Sequence, residues 1–371
     1  MSILEDYLKD LAPLVNLDCG SNNPAGVRRA AEIMKGYFDS IGFTTELVDL
    51  GSKTGPGLVA RNKPDADHID VLFNGHLDTV FPDGTAAARP FSIEGNCAHG
   101  PGCSDCKSGV LAAYWACKLA RKEDLDRLSI CCAFNPDEEI GSPSSHDWLA
   151  SIGAKAKCAL IFEAARAGGE LVRSRKGVCE YRITFHGKNA HAGNNPQDGA
   201  NANVAAMRFA LAAYALANPE IGTTVNPGVI HGGTAANVIP NECTLAIDIR
   251  YRFDKDWADL DEKFMAMLKE TWADGVTQEL TWHVGMPAMP PSDSTKALAE
   301  RITEAARMAG FDAKWVDAGG GSDGNRIAKA GIPVVDGCGP AGGGFHTDKE
   351  FLRLDTVEER ILMLVKFLQL C

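Results

Sequence analysis

Apolar residues fall along this chain in two rhythms. In the first part, short solid runs such as Ile69 to Phe73, Leu128-Ser-Ile-Cys-Cys-Ala-Phe134 and Cys158-Ala-Leu-Ile-Phe162 alternate with longer stretches of helical spacing. Solid runs of that kind suit central strands covered on both faces. Asn22-Asn23-Pro24 offers a cap and a first-turn proline for a helix running to about Ser40, where Gly42 supplies a stop. Lys107 to about Lys122 reads as a buried helix, so the pattern is that of an α/β layered domain.

Between about Val178 and Met286 the rhythm becomes strict alternation. Tyr181-x-Ile183-x-Phe185 and Leu245-x-Ile247-x-Ile249 read as half-buried strands, while Ala202 to Leu216 and Trp257 to Trp272 read as helices. The order strand-helix-strand-strand-helix-strand predicts an α+β, ferredoxin-like sheet with helices on one face. The proline-rich stretch Met286-Pro-Ala-Met-Pro-Pro-Ser292 reads as a return linker, after which helix and strand patterns resume. The expected organisation is a first domain over 1–176 and 288–371, interrupted by a second over 177–287.

Composition narrows the function classes. A chain of 371 residues with 45% hydrophobic content can bury two cores, and a net charge of −12 works against nucleic acid and anionic lipid as partners. The first ten residues lack an export pattern and no apolar run approaches a membrane span, which predicts a cytoplasmic protein. Most of the twelve cysteines sit within apolar patterns and read as reduced core residues. Cys97, His99, Cys103 and Cys106 share one glycine-rich loop with the composition of a small structural zinc knuckle, although their spacing is irregular.

Candidate chemistry gathers at the ends of the apolar runs, where α/β sheets place their sites. Val71-Leu-Phe-Asn-Gly-His-Leu-Asp-Thr-Val80 ends in His76-x-Asp78, a pair in which the carboxylate could orient the imidazole. Asp105 stands in the glycine-rich loop before a helix, where it could cap that helix or bridge two metals. Glu138 and Glu139 adjoin each other in a turn, and paired carboxylates repel unless a cation or a proton holds them. Glu163 ends the next apolar run, and His346 follows Gly342-Gly-Gly-Phe. Two histidines with several carboxylates are the donors that suit zinc, cobalt or manganese.

The order His76-x-Asp78, Gly-x-Gly-x-x-Asp105-x-Lys-x-Gly109, Asp137-Glu138-Glu139, Glu163 and His346 resembles the co-catalytic zinc peptidase family of glutamate carboxypeptidases, aminoacylases, dipeptidases and desuccinylases. The likeness spans essentially the whole chain. It implies an α/β/α catalytic domain with an inserted lid and dimerisation domain, and two zinc ions per chain. By the resemblance Asp105 bridges the ions, His76 and Glu163 complete one site, and Glu139 and His346 complete the other. Glu138 would then be the general base and Asp78 the orienter of His76. His191, in Gly187-Lys-Asn-Ala-His-Ala-Gly193, resembles a histidine that crosses a homodimer interface to stabilise the oxyanion. Asn237 and Arg250 resemble ligands of the substrate carboxylate.

The loop Gly319-Gly320-Gly321-Ser322-Asp323, followed by Asp336-Gly-Cys-Gly-Pro340, looks most like the glutamate carboxypeptidase branch, with Gly320, Gly321 and Ser322 lining the substrate pocket. Ser322 or Asp323 could equally serve as a simple helix cap. The chain departs from the family's usual residues at Cys106, where methionine is usual, at Ser108, where glycine is, and at Ala190, where serine is. The expected activity is release of a C-terminal amino acid, such as glutamate, from a small peptide, a folate-like conjugate or an N-acyl amino acid. Aminoacylase or dipeptidase activity is the near alternative, and a non-hydrolytic, ligand-binding or regulatory relative is the alternative of another class.

Overall fold

A computed structural model describes residues 2–371, in two compact units. The first comprises the described residues up to Ser174 together with Pro291–Ala318 and Ser322–Cys371; the second comprises Arg175–Pro290 with Gly319–Gly321.

The first unit is built on a six-stranded mixed sheet. Thr44–Val48 and Gly57–Arg61 form an antiparallel margin, followed by Ile130–Asn135, Val71–His76, Ala159–Ile161 and Val334–Val335, all mutually parallel. Every residue of Val71–His76 and Ile130–Asn135 is buried, as expected for strands covered on both faces. Helix Lys107–Leu119 is buried through Cys117, and Tyr114 and Trp115 join Tyr7 and Phe38 in the core beneath the sheet. Helix Pro24–Ser40 starts as its sequence suggests: Asn23 Oδ1 accepts from the Gly26 N–H with Pro24 in the first turn, and Gly42 beyond the end takes a positive φ of 80°. No helix among the described residues is long and apolar enough to cross a membrane.

Parallel register fixes where chemistry can gather. His76 lies opposite Asn135, and Asn74 opposite Ile161, so Asp78, Glu138 and Glu163 all emerge beyond the carboxyl ends of neighbouring strands.

The second unit is a four-stranded antiparallel sheet in the order Thr224–Gly232, Glu242–Tyr251, Gly177–His186, Thr277–Met286. Tyr181, Ile183, Phe185, Leu245, Ile247 and Ile249 bury one face against helices Ala202–Tyr214 and Asp254–Met267, where Phe209 and Phe264 fill the centre. The alternation read from the sequence is therefore the burial pattern of these strands.

Candidate metal centre

His76 ends its strand almost fully buried, and its two ring nitrogens face different partners. Nδ1 lies 3.0 Å from the main-chain oxygen of Asp78 and 3.4 Å from Asp78 Oδ1, so the backbone is the nearer orienting group. Nε2 lies 3.2 Å from Asp105 Oδ1 and 3.6 Å from Glu163 Oε1. On the other side of Asp105, His346 Nε2 stands 3.3 Å from Oδ2 and 3.1 Å from Glu139 Oε2. The five residues His76, Asp105, Glu139, Glu163 and His346 thus converge, and the two oxygens of Asp105 face opposite halves of the cluster. His76, Asp105 and Glu139 can bring ligand atoms to one ion, as can His76, Cys106 and Glu163.

The carboxylate of Asp78, fully buried, has a larger task than the imidazole. It accepts from Ser21 Oγ at 2.6 Å and from the main-chain N–H groups of Glu138 and Glu139 at 3.1 and 3.2 Å. It therefore ties the strand carrying His76 to the turn carrying both glutamates. That turn, a short 3-10 helix over Glu138–Ile140, is held from its other side by Asp137, which accepts from Ser145 Oγ and the Ser144 N–H.

Burial governs the acidities. It pushes Glu138 well above the ordinary carboxylate range, with the charges of Glu163 and Asp323 adding to the effect. It pushes Glu139 up to about 8 against the pull of His76, and raises Glu163 as well. Asp323 is pushed up to about 7, again chiefly by burial. Asp105 moves down instead: burial would raise it, but hydrogen bonds from His346 and His76 outweigh that cost. His346 is drawn up to about 9 by its hydrogen bond to Asp105. Asp78, Asp105, Glu138, Glu139, Glu163 and Asp323 share the site with two imidazoles, a crowding of carboxyls in which burial favours protons on several of them and bound cations could take the place of those protons.

Comparison with known proteins gives the chain its family. The model of peptidase family M20/M25/M40 matches residues 72–370. The chain belongs to this family. It is 29% identical to carboxypeptidase G2 of Pseudomonas sp. (strain RS-16), covering 97% of this chain and 88% of that protein. It is also 29% identical to a succinyl-diaminopimelate desuccinylase of Thioalkalivibrio sulfidiphilus, covering 78% of this chain and 80% of that one. In fold it matches the crystal structure of aminopeptidase PepT from Bacillus cereus with a TM-score of 0.78 at 22% identity, covering 99% of each chain. As an M20 protein the chain is a metal-dependent hydrolase of the metallopeptidase and amidohydrolase class.

The other expected residues of this M20 chain divide between the two units. His191, Asn237, Arg250, Gly320 and Gly321 belong to the second unit. There the strand Ala190–His191 pairs with Val238–Ile239, and the Ala192 N–H donates to the Asn237 carbonyl, which makes His191 and Asn237 neighbours. Arg250 is engaged bidentately with Asp248, two positions along the same strand. Ser322 belongs to the first unit, where it caps helix Asp323–Ala328 and donates to Asp336 Oδ2 at 2.5 Å.

Among the described residues the cysteine knuckle is not assembled. Cys103 Sγ faces the Ala98 carbonyl, His99 Nδ1 faces the Glu350 carbonyl, and Cys106 turns to the Phe162 carbonyl beside His76 and Glu163. A short, glycine-rich loop lets each side chain leave in its own direction, so shared composition did not become shared geometry.

Glu350 escaped the sequence reading. Its buried carboxylate accepts from the N–H groups of Gly102, Ser104 and Asp105, each at 2.9 Å, and so holds the loop that presents Asp105. Lys107, also buried, braces the same loop by donating to the carbonyls of Pro101 and Leu17. The only signal for Glu350 was its place four residues beyond His346, in a polar stretch that looks like an ordinary solvated turn.

Proposed function

We propose that this chain hydrolyses a peptide or amide bond to release a C-terminal amino acid, with glutamate the first candidate, using two zinc ions per chain or cobalt or manganese in their place. The observation carrying this reading is the division of Asp105, with Oδ1 toward His76 and Glu163 and Oδ2 toward His346 and Glu139. The donors fit, since imidazole nitrogens and carboxylate oxygens are what these ions take, and the crowded carboxylates call for positive charge. When bound, such ions acidify a water and polarise the scissile carbonyl.

The chain's own groups supply the rest. Glu138 takes the proton of the attacking water and passes it to the leaving nitrogen; burial, with the charges of Glu163 and Asp323, holds its carboxyl well above the ordinary carboxylate range, which favours uptake of that proton. Asp78 keeps Glu138 in place through its main-chain N–H and keeps His76 in line.

In His191, Nδ1 accepts from the N–H groups of Gly193 and Asn194, which leaves the proton of the neutral ring on Nε2 as a donor for the oxyanion. This role would be played across a homodimer. The exposed Met207, Leu211 and Tyr214 on one helix face, with Val229 and Ile230 on the edge strand, support contact between copies through the second unit. Arg250 and Asn237 would take the substrate carboxylate, Arg250 by exchanging Asp248 for it. Gly320, Gly321 and the backbone at Ser322 would border the pocket. The name of the carboxypeptidase G2 relative favours a C-terminal residue as product, and that of the desuccinylase favours an N-acyl amino acid as the second candidate. All twelve cysteines are free, which supports a reducing, cytoplasmic setting.

Hydrolysis of a panel of peptidyl, N-acyl and pteroyl amino acids, before and after chelation, tests the proposal. Turnover that vanishes with chelator and returns with zinc is expected. Failure on every substrate with a free C-terminal carboxylate, by metal-loaded protein, would sink it.

A further inference from the structure

Cys106 does not behave like the other cysteines of its loop. It follows Asp105, immediately before helix Lys107–Leu119, with no exposed surface, and its Sγ donates to the Phe162 carbonyl at 2.9 Å, one residue before Glu163. Ligand atoms of His76, Cys106 and Glu163 all lie within 4.8 Å of one another. Around one tetrahedral ion with bonds of about 2.0–2.3 Å the ligand atoms stand roughly 3.3–3.8 Å apart, so these side chains draw in on binding. The neighbouring backbone makes room for the sulfur: a Cβ at Gly75 or at Gly109 would sit 3.2 Å from Sγ. Cys103, by contrast, points to the Ala98 carbonyl.

We infer that Cys106 is a sulfur ligand to the ion held by His76 and Glu163, making this half of the centre a mixed nitrogen, oxygen and sulfur site. The inference rests on the metal-centre reading above. On ligation the S–H bond breaks, its proton leaves to solvent, the hydrogen bond to the Phe162 carbonyl is given up and a sulfur lone pair forms the bond to the ion. The two halves would then differ in softness. The His76 half favours zinc or cadmium over manganese, whereas the His346 half, with oxygen and nitrogen donors only and a more exposed imidazole, takes the harder ions.

Metal-free full-length protein titrated with cobalt(II) tests this without reference to activity. The expected spectrum has visible d–d bands from bound cobalt and a near-ultraviolet thiolate-to-cobalt charge-transfer band. In Cys106→Ser the near-ultraviolet band disappears while visible bands remain, and affinity for one of the two ions falls by at least about tenfold. Cys103→Ser, altered three residues away, keeps the band. Cadmium NMR of the unaltered protein gives a second measure that needs no variant: one of two resonances should carry the strong downfield shift of a sulfur ligand. Cobalt bound with no charge-transfer band, a band that survives in Cys106→Ser, or two cadmium resonances both in the oxygen and nitrogen range would each overturn the sulfur assignment while leaving the metal centre intact. Binding of no cobalt at all would overturn the metal centre and this inference with it.

Discussion

Replacing Glu350 by glutamine changes one atom and should loosen the whole loop that presents Asp105. The native carboxylate is 1% exposed, with Oε1 accepting from Ser104 and Asp105 and Oε2 from Gly102. An amide can keep its oxygen toward Ser104 and Asp105, but its NH2 then meets the Gly102 N–H donor to donor. An orphaned buried donor costs about 1–3 kcal/mol, and turning two charge-assisted bonds into neutral ones costs about 1 kcal/mol each. Part of this is returned, because burial already pushes the Glu350 carboxyl up and the neutral amide escapes that cost. The net destabilisation should be about 2–4 kcal/mol, read by thermal or denaturant unfolding of the first unit. A support of this kind should also weaken metal binding by about 10–100-fold, read by titration against a chromophoric chelator. Glu350→Asp should fare no better, being too short to reach all three N–H groups. A Glu350→Gln protein that melts with the parent and holds metal within a factor of two would refute the claim that this carboxylate organises the loop.

Other consequences can be checked independently. Glu138→Gln should keep its metal and KM while kcat falls by about 10²–10⁴, and near-parental turnover would remove Glu138 as the base. Asp78→Asn should slow turnover by roughly 10–100-fold while leaving most of the metal bound, since it frees the glutamate turn more than it removes a ligand; an empty site with an intact fold would contradict that division. Asp124 is held below the usual carboxylate range by hydrogen bonds from Arg121 and then Arg127, so its contribution to stability is present above the unfolded value near ~4 and is lost as pH falls through the folded one. Asp124→Asn should therefore destabilise at pH 7 and lose its difference from the parent in strong acid; a gap that widens on acidification would reverse the sign argued here. Phe209→Ala, which empties the contact among Phe185, Phe264 and Trp272, should cost the second unit about 3–5 kcal/mol by hydrogen exchange.

Much of the fold was legible because burial here follows simple periods. The solid apolar runs became the central parallel strands, and Tyr181-x-Ile183-x-Phe185 became one wall of the second core. Residues such as His76 and Glu163 stood out because a charged or polar ligand at the end of a buried strand is costly without a partner. Ser21 and Glu350 did not stand out. They touch the site from segments 57 and 245 positions away from Asp78 and Asp105, through hydrogen bonds that leave no period in the sequence. Cys106 was visible, but composition grouped it with Cys97, His99 and Cys103, whereas the direction of each side chain in a tight loop depends on backbone geometry that composition does not carry.

The pair His76-x-Asp78 shows how such geometry adds to a role. Two-residue spacing suggests a carboxylate lying beside an imidazole, yet the strand ends at His76, and beyond it the chain turns so that the Asp78 carbonyl meets Nδ1 at 3.0 Å. The carboxylate, with Oδ1 3.4 Å from the same nitrogen, also receives Ser21 and the N–H groups of Glu138 and Glu139. A carboxylate placed there also opposes the charge of the glutamates whose backbone it holds, so it favours their close approach only if positive charge is supplied from the other side. His76 and His346 supply part of it, and the crowding of Glu139 and Glu163 about His76, His346 and Asp105, with Glu138 within reach of both glutamates' charge, is the arrangement in which bound cations would gain most.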